Sequence, residues 1–322
     1  MTDSSKPIAV IPGDDPIQLT GSPQLERLAK HRQVAIHRDR PASNEEKIRR
    51  AADGDVMINS RGTVKWPAEV LSKLPRLRFI STCGIGTDAI DLETARQQGI
   101  VVSNIPGKTA PVVAEHAFGL MLAASKRAAF QTAELKAGRW THLDNVYLTG
   151  KTLGVIGAGS IGAEMARLGR ALSMRVLAWT FHPSPDRADS LGVEFVELDE
   201  LLRESDAVSL HLKLTPNSKH LIGRRELGLM KPGSLLVNTA RGKVIDTDAL
   251  VEALHSGHLA GAGLDVFDDE PLPADHPLVA CEQVVLTPHN ADQTPEGCEL
   301  LNTGAVDNVI AFLEGRPQNV VT

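Results

Sequence analysis

Short apolar runs alternate with helical patterns along the first part of the chain. The strand candidates are "IAVI" (8–11), "VAIH" (34–37), "VMIN" (56–59), "RFIST" (78–82) and "IVVSN" (100–104). Helical spacing of apolar residues predicts helices between them, around 23–31, 45–52 and 92–98. Continuous apolar strands that alternate with helices are typical of a parallel sheet covered on both faces.

The next segment, "TAPVVAEHAFGLMLAASKR" (109–127), is apolar nearly all round. Thr109 can cap a helix here, and Pro111 is tolerated in its first turn. A helix this apolar must be buried between layers or between subunits. We interpret its polar pair, Glu115 and His116, as structural residues that bond across the buried helix. The polar stretch "AGRWTHLDNVYLTGK" (137–151) follows and is interpreted as a connection.

A second series of strands and helices begins at "TLGVIGAGSIG". Its strand candidates are "TLGVIG" (152–157), "RVLAW" (175–179), "EFV" (194–196), "AVSLHL" (207–212), "SLLVNT" (234–239), "AGLDVF" (262–267) and "VVLTP" (284–288). This pattern predicts a second α/β unit. The final segment, "PEGCELLNTGAVDNVIAFLEGRP" (295–317), predicts another helix, and its pattern leaves open whether that helix returns to the first unit.

Composition narrows the class of protein. The chain has 322 residues with 42% apolar and 23% charged residues, which is ordinary for a globular protein with two domains. Its net charge of -6 argues against nonspecific binding to nucleic acid or to an anionic membrane. Three widely spaced cysteines indicate neither a disulfide framework nor a metal site, and no signal-peptide or membrane-spanning pattern is visible, so we expect a cytoplasmic protein.

The turn Gly157-Ala158-Gly159-Ser160-Ile161-Gly162 follows an apolar strand and opens an amphipathic helix. This is the context that a dinucleotide-binding turn requires. The first glycine permits the tight turn, the second lets the backbone approach a pyrophosphate, and the third lets helix and strand pack closely. The alternative is an ordinary tight connection between a strand and a helix.

The strand that follows the glycine turn lacks an expected acid. An Asp or Glu at its end usually binds the adenosine ribose of NAD, but Thr180 stands there. Asp186 and Asp189 are predicted to begin the next helix instead. His182 and Arg187 are candidates for contact with the 2′-phosphate of NADP, although the sequence places neither clearly. The cofactor is therefore predicted to be NAD or NADP.

Several longer motifs now combine. "TGKTLGVIGAGSIG", "LVNTARGKVID", "GAGLDVFDDEPLP" and "VVLTPHN", in this order, resemble the D-isomer-specific 2-hydroxyacid dehydrogenases, and so do the upstream "STCGIGTDAIDLETARQQGIVVSNIPG" and "VAEHAFGLMLA". The resemblance covers nearly the whole chain. It implies two doubly wound parallel-sheet domains, in which a Rossmann cofactor domain (105–294) is inserted into a flavodoxin-like substrate domain (1–104 and 295–322). It also implies a homodimer.

The resemblance also implies which residues form the site. It implies that Arg241, Glu270 and His289 are the catalytic set, and that Ile85 and Gly86 offer backbone N–H groups to the substrate carboxylate. The cofactor residues expected from the turn and the resemblance are Gly157, Gly159, Ser160, Ile161, Gly162, Thr239 and Asp265, and Thr180 stands where the ribose-binding acid is expected. Asp265 is similar to the residue that holds the nicotinamide carboxamide. The chain departs from the family at Thr180 and at "NAD" (290–292), where small residues usually follow the histidine.

The residue chemistry agrees with this assignment. Arg241, Glu270 and His289 each follow a predicted strand directly, at the edge where open α/β sheets bind ligands. A permanently charged guanidinium can polarise a carbonyl and bind a carboxylate, and an imidazole can exchange a proton near neutral pH. Arg61, at the end of a first-unit strand, is a further candidate for substrate contact. Each of these residues alone would more often be a solvated surface group.

We therefore expect an NAD(P)-dependent oxidoreductase that interconverts small 2-keto acids and D-2-hydroxy acids, similar to glyoxylate or hydroxypyruvate reductases or to phosphoglycerate dehydrogenases. One alternative is a binding protein on the same fold that senses nicotinamide nucleotides as a corepressor. Another is an oxidoreductase of a different substrate, such as formate. Turnover of a panel of keto acids would separate all three.

Overall fold

A computed structural model describes residues 8–62 and 64–322 of the protein. They form two compact units. The first comprises Met1–Thr109 and Gln293–Thr322, and the second Ala110–Asp292. The domain boundaries expected from the sequence, after residues 104 and 294, stay a prediction about separately folding domains.

The strands of the described chain are β1 (Ile8–Ile11), β2 (Gln33–Ile36), β3 (Gly54–Asn59), β4 (Phe79–Thr82), β5 (Val101–Ser103), β6 (Thr152–Ile156), β7 (Arg175–Trp179), β8 (Glu194–Phe195), β9 (Ala207–Leu210), β10 (Ser234–Asn238), β11 (Leu259–Leu264) and β12 (Val284–Leu286). Its α-helices are α1 (Pro23–Ala29), α2 (Asn44–Ala51), α3 (Ala68–Leu71), α4 (Leu92–Gln97), α5 (Ala110–Ser125), α6 (Ala128–Lys136), α7 (Ser160–Ala171), α8 (Pro185–Leu191), α9 (Leu198–Glu204), α10 (Arg224–Leu229), α11 (Thr247–His255) and α12 (Pro295–Leu313). Short 3-10 helices lie at Gly242–Val244 and Pro277–Ala280.

The first unit contains a five-stranded parallel sheet in the order β2-β1-β3-β4-β5. This is the flavodoxin-like order that the resemblance implies. Strands β3 and β4 are buried almost throughout, as expected for strands that are covered by helices on both faces.

Helix α12 completes the core of the first unit. Thr294 caps its start by accepting a hydrogen bond from the Gly297 amide. On β4, the Ser81 hydroxyl donates to the carbonyl of Ala305 at 3.1 Å. A β-carbon at Gly304 would lie 2.9 Å from Ile105, so the small residue lets the helix pack closely. The last helix therefore packs with residues from the beginning of the chain.

The second unit contains a seven-stranded parallel sheet in the order β12-β11-β10-β9-β6-β7-β8. Read from β8, this is the Rossmann order with one more strand at the far edge. Helix α5 packs on β11, where a β-carbon at Gly263 would lie 2.8 Å from the Leu120 side chain. The two parallel-sheet α/β domains expected from the sequence are confirmed.

Two local features differ from the sequence-based expectation. Helix α6 was not predicted, because none of its residues is buried and no apolar stripe marks it. Strand β11 was predicted at 262–267 but ends at Leu264. Asp265 leaves the strand because its carboxylate is bound by the segment after β12. None of the helices in the described ranges is both long and apolar enough to cross a lipid bilayer.

Candidate active site

The glycine turn between β6 and α7 is compact. Gly157 has φ of 99°, and a β-carbon there would lie 2.6 Å from the His211 carbonyl oxygen. A β-carbon at Gly162 would overlap the Gly157 carbonyl oxygen, so only glycine allows this approach of helix and strand. At Gly159, by contrast, a β-carbon would meet no atom within 4 Å. The turn is therefore closely packed at Gly157 and Gly162, whereas there is free space at Gly159, where α7 begins. Ser160 and Ile161 lie in the first turn of α7.

Several buried polar atoms at the carboxyl edge of the second sheet have no hydrogen-bond partner within the described chain. They are His211 Nδ1 after β9, Thr239 Oγ1 after β10 and Asn290 Oδ1 after β12. Burial lowers the pKa of His211 to about 3, so its imidazole is neutral at physiological pH. Buried polar groups are normally satisfied, so atoms of this kind at the edge beside the glycine turn fit a polar ligand such as a dinucleotide.

The first turn of α8, the helix that follows β7, places a cation near the glycine turn. Arg187 Nη2 donates to the carbonyl of Ala158 at 2.6 Å, and its Nη1 donates to the carbonyl of His182 at 2.9 Å. Thr180, the first residue after β7, is half-buried. Asp186 lies in the first turn of α8 rather than at the strand end. The guanidinium thus links the glycine turn to the segment after β7, a placement that the sequence pattern left undecided.

Glu270 and His289 form a hydrogen-bonded pair. His289 Nδ1 lies 2.7 Å from Glu270 Oε2, and Glu270 Oε1 accepts from the Phe267 amide at 3.0 Å. Burial raises the pKa of Glu270, but the hydrogen bond and charge of His289, the Phe267 amide and the Arg241 charge together lower the pKa below its ordinary value. The two side chains are 35% and 46% exposed, so the imidazole is held at one nitrogen and remains accessible to a ligand.

Arg241 follows β10 by three residues and opens a short 3-10 helix. Its carbonyl accepts from Asn238 Nδ2 at 2.9 Å, and its own Nη1 donates to the Ala240 carbonyl at 2.7 Å. Its positive charge also contributes to lowering the pKa of Glu270. The three residues expected to form the catalytic set therefore belong to one unit, where they are linked by a hydrogen bond and by charge.

Asp265, the first residue after β11, is fully buried. Its Oδ1 accepts from Thr287 Oγ1 at 2.5 Å and from the Asn290 amide at 3.0 Å, while its Oδ2 accepts from the Ala291 amide at 3.0 Å. Burial raises the pKa of this carboxyl, but hydrogen bonds from His116, Thr287 and Asn290 together lower it below its ordinary value. Asp265 is therefore an ionised carboxylate that binds the segment on which His289 lies.

Three predicted substrate residues lie in the first unit. Ile85 and Gly86 follow β4, in a loop whose Ile85 carbonyl accepts from Asn104 Nδ2 at 2.8 Å. Arg61 has φ of 57° and donates through Nη1 to Gln18 Oε1 at 2.9 Å. Their roles toward a substrate stay predictions.

The model of the family described as "D-isomer specific 2-hydroxyacid dehydrogenase, NAD binding domain" matches residues 118–291. This range contains the glycine turn and all residues of the Arg241–Glu270–His289 set. The chain belongs to the D-isomer-specific 2-hydroxyacid dehydrogenase family. It is an oxidoreductase with an NAD-binding Rossmann domain.

Named relatives agree with the family assignment. The chain is 39% identical to a glyoxylate reductase of Aeropyrum pernix over 308 residues, covering 92% of both chains. It is 42% identical to a hydroxypyruvate reductase of Thermotoga maritima, covering 80% of this chain and 85% of that protein. The crystal structure of a D-lactate dehydrogenase from Aquifex aeolicus, complexed with NAD and lactic acid, superposes with a TM-score of 0.83 at 32% identity and covers 96% of both chains.

Sequence reasoning missed two polar residues at this dehydrogenase site. His211 was assigned to the interior of a predicted strand at 207–212, but β9 ends at Leu210. Asn290 was noted only as a departure from the family. The usable signal is position, because both lie just past a strand at the carboxyl edge of the sheet.

Proposed function

We propose that this protein interconverts 2-keto acids and D-2-hydroxy acids with a nicotinamide cofactor. The observation that carries the proposal is the Glu270–His289 pair with Arg241 at the carboxyl edge of a Rossmann sheet. The bound nicotinamide supplies or accepts the hydride. The residues of the chain bind the acid, polarise its carbonyl group and move one proton.

The proton step follows from the geometry of the pair. Because Glu270 occupies Nδ1 of His289, the other ring nitrogen, Nε2, is the atom left to exchange a proton with the substrate oxygen. In reduction, the alkoxide that forms when the carbonyl carbon receives a hydride takes the Nε2 proton, and His289 becomes neutral. In oxidation, neutral His289 accepts the hydroxyl proton. The Glu270 carboxylate stabilises the charged imidazole in both directions.

Arg241 has the chemistry to stabilise the negative charge that develops on the carbonyl oxygen. Its planar guanidinium can also bind the substrate carboxylate. We propose that the backbone N–H groups of Ile85 and Gly86 bind that carboxylate as well, and that Arg61 contacts the substrate. The names of the relatives support glyoxylate and hydroxypyruvate as first substrates to test.

The deciding experiment is turnover of glyoxylate, hydroxypyruvate, pyruvate and branched 2-keto acids with NADH and with NADPH, followed by chiral analysis of the product. We expect cofactor oxidation and a D-product. An L-product, or cofactor binding with no turnover of any acid in the panel, would contradict the proposal. The second outcome is what a nucleotide-sensing corepressor would give, a class that the named relatives do not favour.

The cofactor-binding residues that we propose are the glycine turn, Thr239, Asp265 and the end of β7. Thr180 offers no carboxylate that would repel a 2′-phosphate. Arg187 uses two of its five donors on carbonyl groups beside the turn. A planar guanidinium with further donors suits a phosphate at this position. We therefore propose that NADP(H) is used appreciably, alongside NAD(H).

We propose a homodimer in the cytoplasm. Helix α6 buries none of its residues, and Leu135, Trp140 and Tyr147 are 56%, 79% and 67% exposed. Exposed apolar side chains grouped on one segment often mark an interface. Light scattering after gel filtration should give a dimer, and Trp140→Glu should shift it toward monomer. Ile17→Glu, at an exposed apolar side chain of the first unit, is the control, and a monomeric wild type would contradict the proposal.

A further inference from the structure

His116 lies on the buried helix α5, at a position that the sequence analysis treated as structural. Its Nε2 lies 3.0 Å from Thr287 Oγ1 and 3.5 Å from Asp265 Oδ1, although 171 residues separate it from Thr287 along the chain. Thr287 Oγ1 in turn lies 2.5 Å from Asp265 Oδ1. The three side chains therefore form one hydrogen-bonded chain between α5 and the ends of β11 and β12.

The direction of this chain follows from its donors and acceptors. Asp265 is ionised, so its oxygens can only accept. The Thr287 hydroxyl must therefore donate its single hydrogen to Asp265, and its oxygen must accept from His116. This requires a hydrogen on Nε2 of His116, which the neutral imidazole can supply in one tautomer. Hydrogen bonds thus run from His116 through Thr287 to Asp265.

Asp265 also binds the backbone of His289 and of the two residues that follow it. Its carboxylate accepts from the amides of Asn290 and Ala291, and its backbone carbonyl accepts from the His289 amide at 2.8 Å. His289 has φ of 50°, in the left-handed region that residues other than glycine seldom adopt. Such a conformation persists only when the surroundings enforce it. Here Asp265 accepts hydrogen bonds from residues on both sides of His289 in the sequence, which restrains the backbone at this position.

We propose that His116 is a positioning residue for the proton donor His289, acting through the Thr287 hydroxyl and the Asp265 carboxylate. The inference rests on the proposed function, because it assigns His289 the proton transfer. Asp265 then has a task within the protein in addition to any contact with the cofactor. His116 itself touches none of the reacting atoms in this scheme.

The test uses two pairs of variants in the full-length enzyme. His116→Leu and Thr287→Val remove a link of the chain, whereas His116→Gln and Thr287→Ser keep a donor or a hydroxyl at the same place. We expect the first pair to lower kcat on the order of 10-fold, with little change in KM for the keto acid or the cofactor. The second pair should recover most of the lost turnover. Glu115→Gln, one residue away on α5, is the control and should behave as wild type.

Two further measurements separate positioning from general damage. The double variant His116→Leu/Thr287→Val should lose clearly less kcat than the two single losses combined, since both substitutions act on the same hydrogen-bonded chain. Amide hydrogen exchange should accelerate in 287–292 in the first pair and not in the glycine turn. The exchange measurement needs no turnover, so it tests the inference even if the proposed function fails.

The possible outcomes decide between the two claims. A wild type that reduces no keto acid would overturn the proposed function. The hydrogen-exchange measurement would still test whether His116 and Thr287 order the segment 287–292. An active His116→Leu or Thr287→Val enzyme with wild-type kcat would overturn the inference alone. So would additive losses in the double variant, failure of His116→Gln and Thr287→Ser to restore kcat, or unchanged exchange in 287–292.

Discussion

Two stretches of the same sheet edge differ in the charged groups that they carry. After β11 and β12, Asp265, Glu270 and His289 are each fixed by hydrogen bonds to other groups of the protein. After β7, Thr180 follows the strand directly and Arg187 holds the turn through two carbonyl groups. We call the first stretch the reaction edge and the second the adenosine edge. Proton transfer needs fixed geometry, whereas selection between two cofactors needs only a local balance of charge.

The largest expected effect comes from breaking the reaction edge. His289→Ala removes the proposed proton donor and should lower turnover by about 100-fold or more, the usual size for a positioned acid–base group. The dissociation constant for NADH or NADPH should change little, because the glycine turn is intact. Steady-state kinetics together with fluorescence titration of the cofactor provide the check.

A fully active His289→Ala enzyme would show that this histidine is only a surface residue at a strand end. His255→Ala, at an exposed histidine in the last turn of α11, is the control for loss of an imidazole elsewhere in the same unit and should behave as wild type.

At the adenosine edge, we expect substitutions to change the preference between the two cofactors and not the proton transfer. Arg187→Ala should weaken NADPH on the order of 10-fold, the size of one charge-assisted hydrogen bond, with little effect on NADH. Thr180→Asp should favour NADH by a similar factor, because a carboxylate there bonds the ribose hydroxyls and repels a 2′-phosphate. The measurement is kcat/KM for both cofactors at saturating keto acid.

Arg203→Ala, at an exposed arginine on α9 that pairs with Asp199, is the matched control for loss of positive charge. The interpretation of this edge is wrong if the wild type discriminates against NADPH by more than about a thousandfold. Equal losses with both cofactors in Arg187→Ala would point to a damaged turn instead of a lost phosphate contact.

The smallest expected effect is a displaced pH profile. The pKa of Glu270 is lowered overall, so the carboxylate stays charged at neutral pH and stabilises the protonated form of His289. Glu270→Gln removes this charge and keeps a polar group of similar size. Reduction requires the imidazolium, so its alkaline limit should move to lower pH when the carboxylate is lost. Oxidation requires the neutral imidazole, so its acidic limit should move down as well.

Profiles of kcat/KM against pH in both directions test this expectation. A Glu270→Gln profile that moves to higher pH would mean that the carboxylate does not favour the charged imidazole. Asp269→Asn, at the neighbouring carboxylate, is the control for loss of one negative charge in the same turn.

Much of the fold could be predicted because parallel strands that are buried on both faces are short, continuous apolar runs. The ends of elements were less predictable. Strand β11 begins in a stretch of small residues, and it stops at Leu264 because the Asp265 carboxylate binds atoms after β12. Helix α6 carries no signal of burial because it has none. The local pattern of apolar residues reports burial, so it misses a helix that buries nothing, and it cannot place a strand end that depends on contacts with another part of the chain.

The candidate site likewise has parts that could be predicted from the sequence and parts that could not. The order of Arg241, Glu270 and His289 behind a glycine turn pointed to one edge of one sheet, and these residues do lie in one unit. The position of the Arg187 guanidinium between Ala158 and His182 could not be predicted, because it depends on the path of the turn after β7. The hydrogen-bonded chain from His116 to Asp265 joins segments that are far apart in the sequence, and no residue spacing predicts it.

The return of α12 to the first unit has a consequence for biosynthesis. The apolar side chains of Leu301, Val306 and Val309 belong to the same core as Ile11 and Phe79. A ribosome releases the first part of that core long before it makes the last part, since all of Ala110–Asp292 lies between them. At roughly 5–20 residues per second, the delay is on the order of ten seconds or more. The contiguous second unit is then free to fold first, while the nascent amino-terminal sheet lacks the helix that covers part of its apolar face until the end of synthesis.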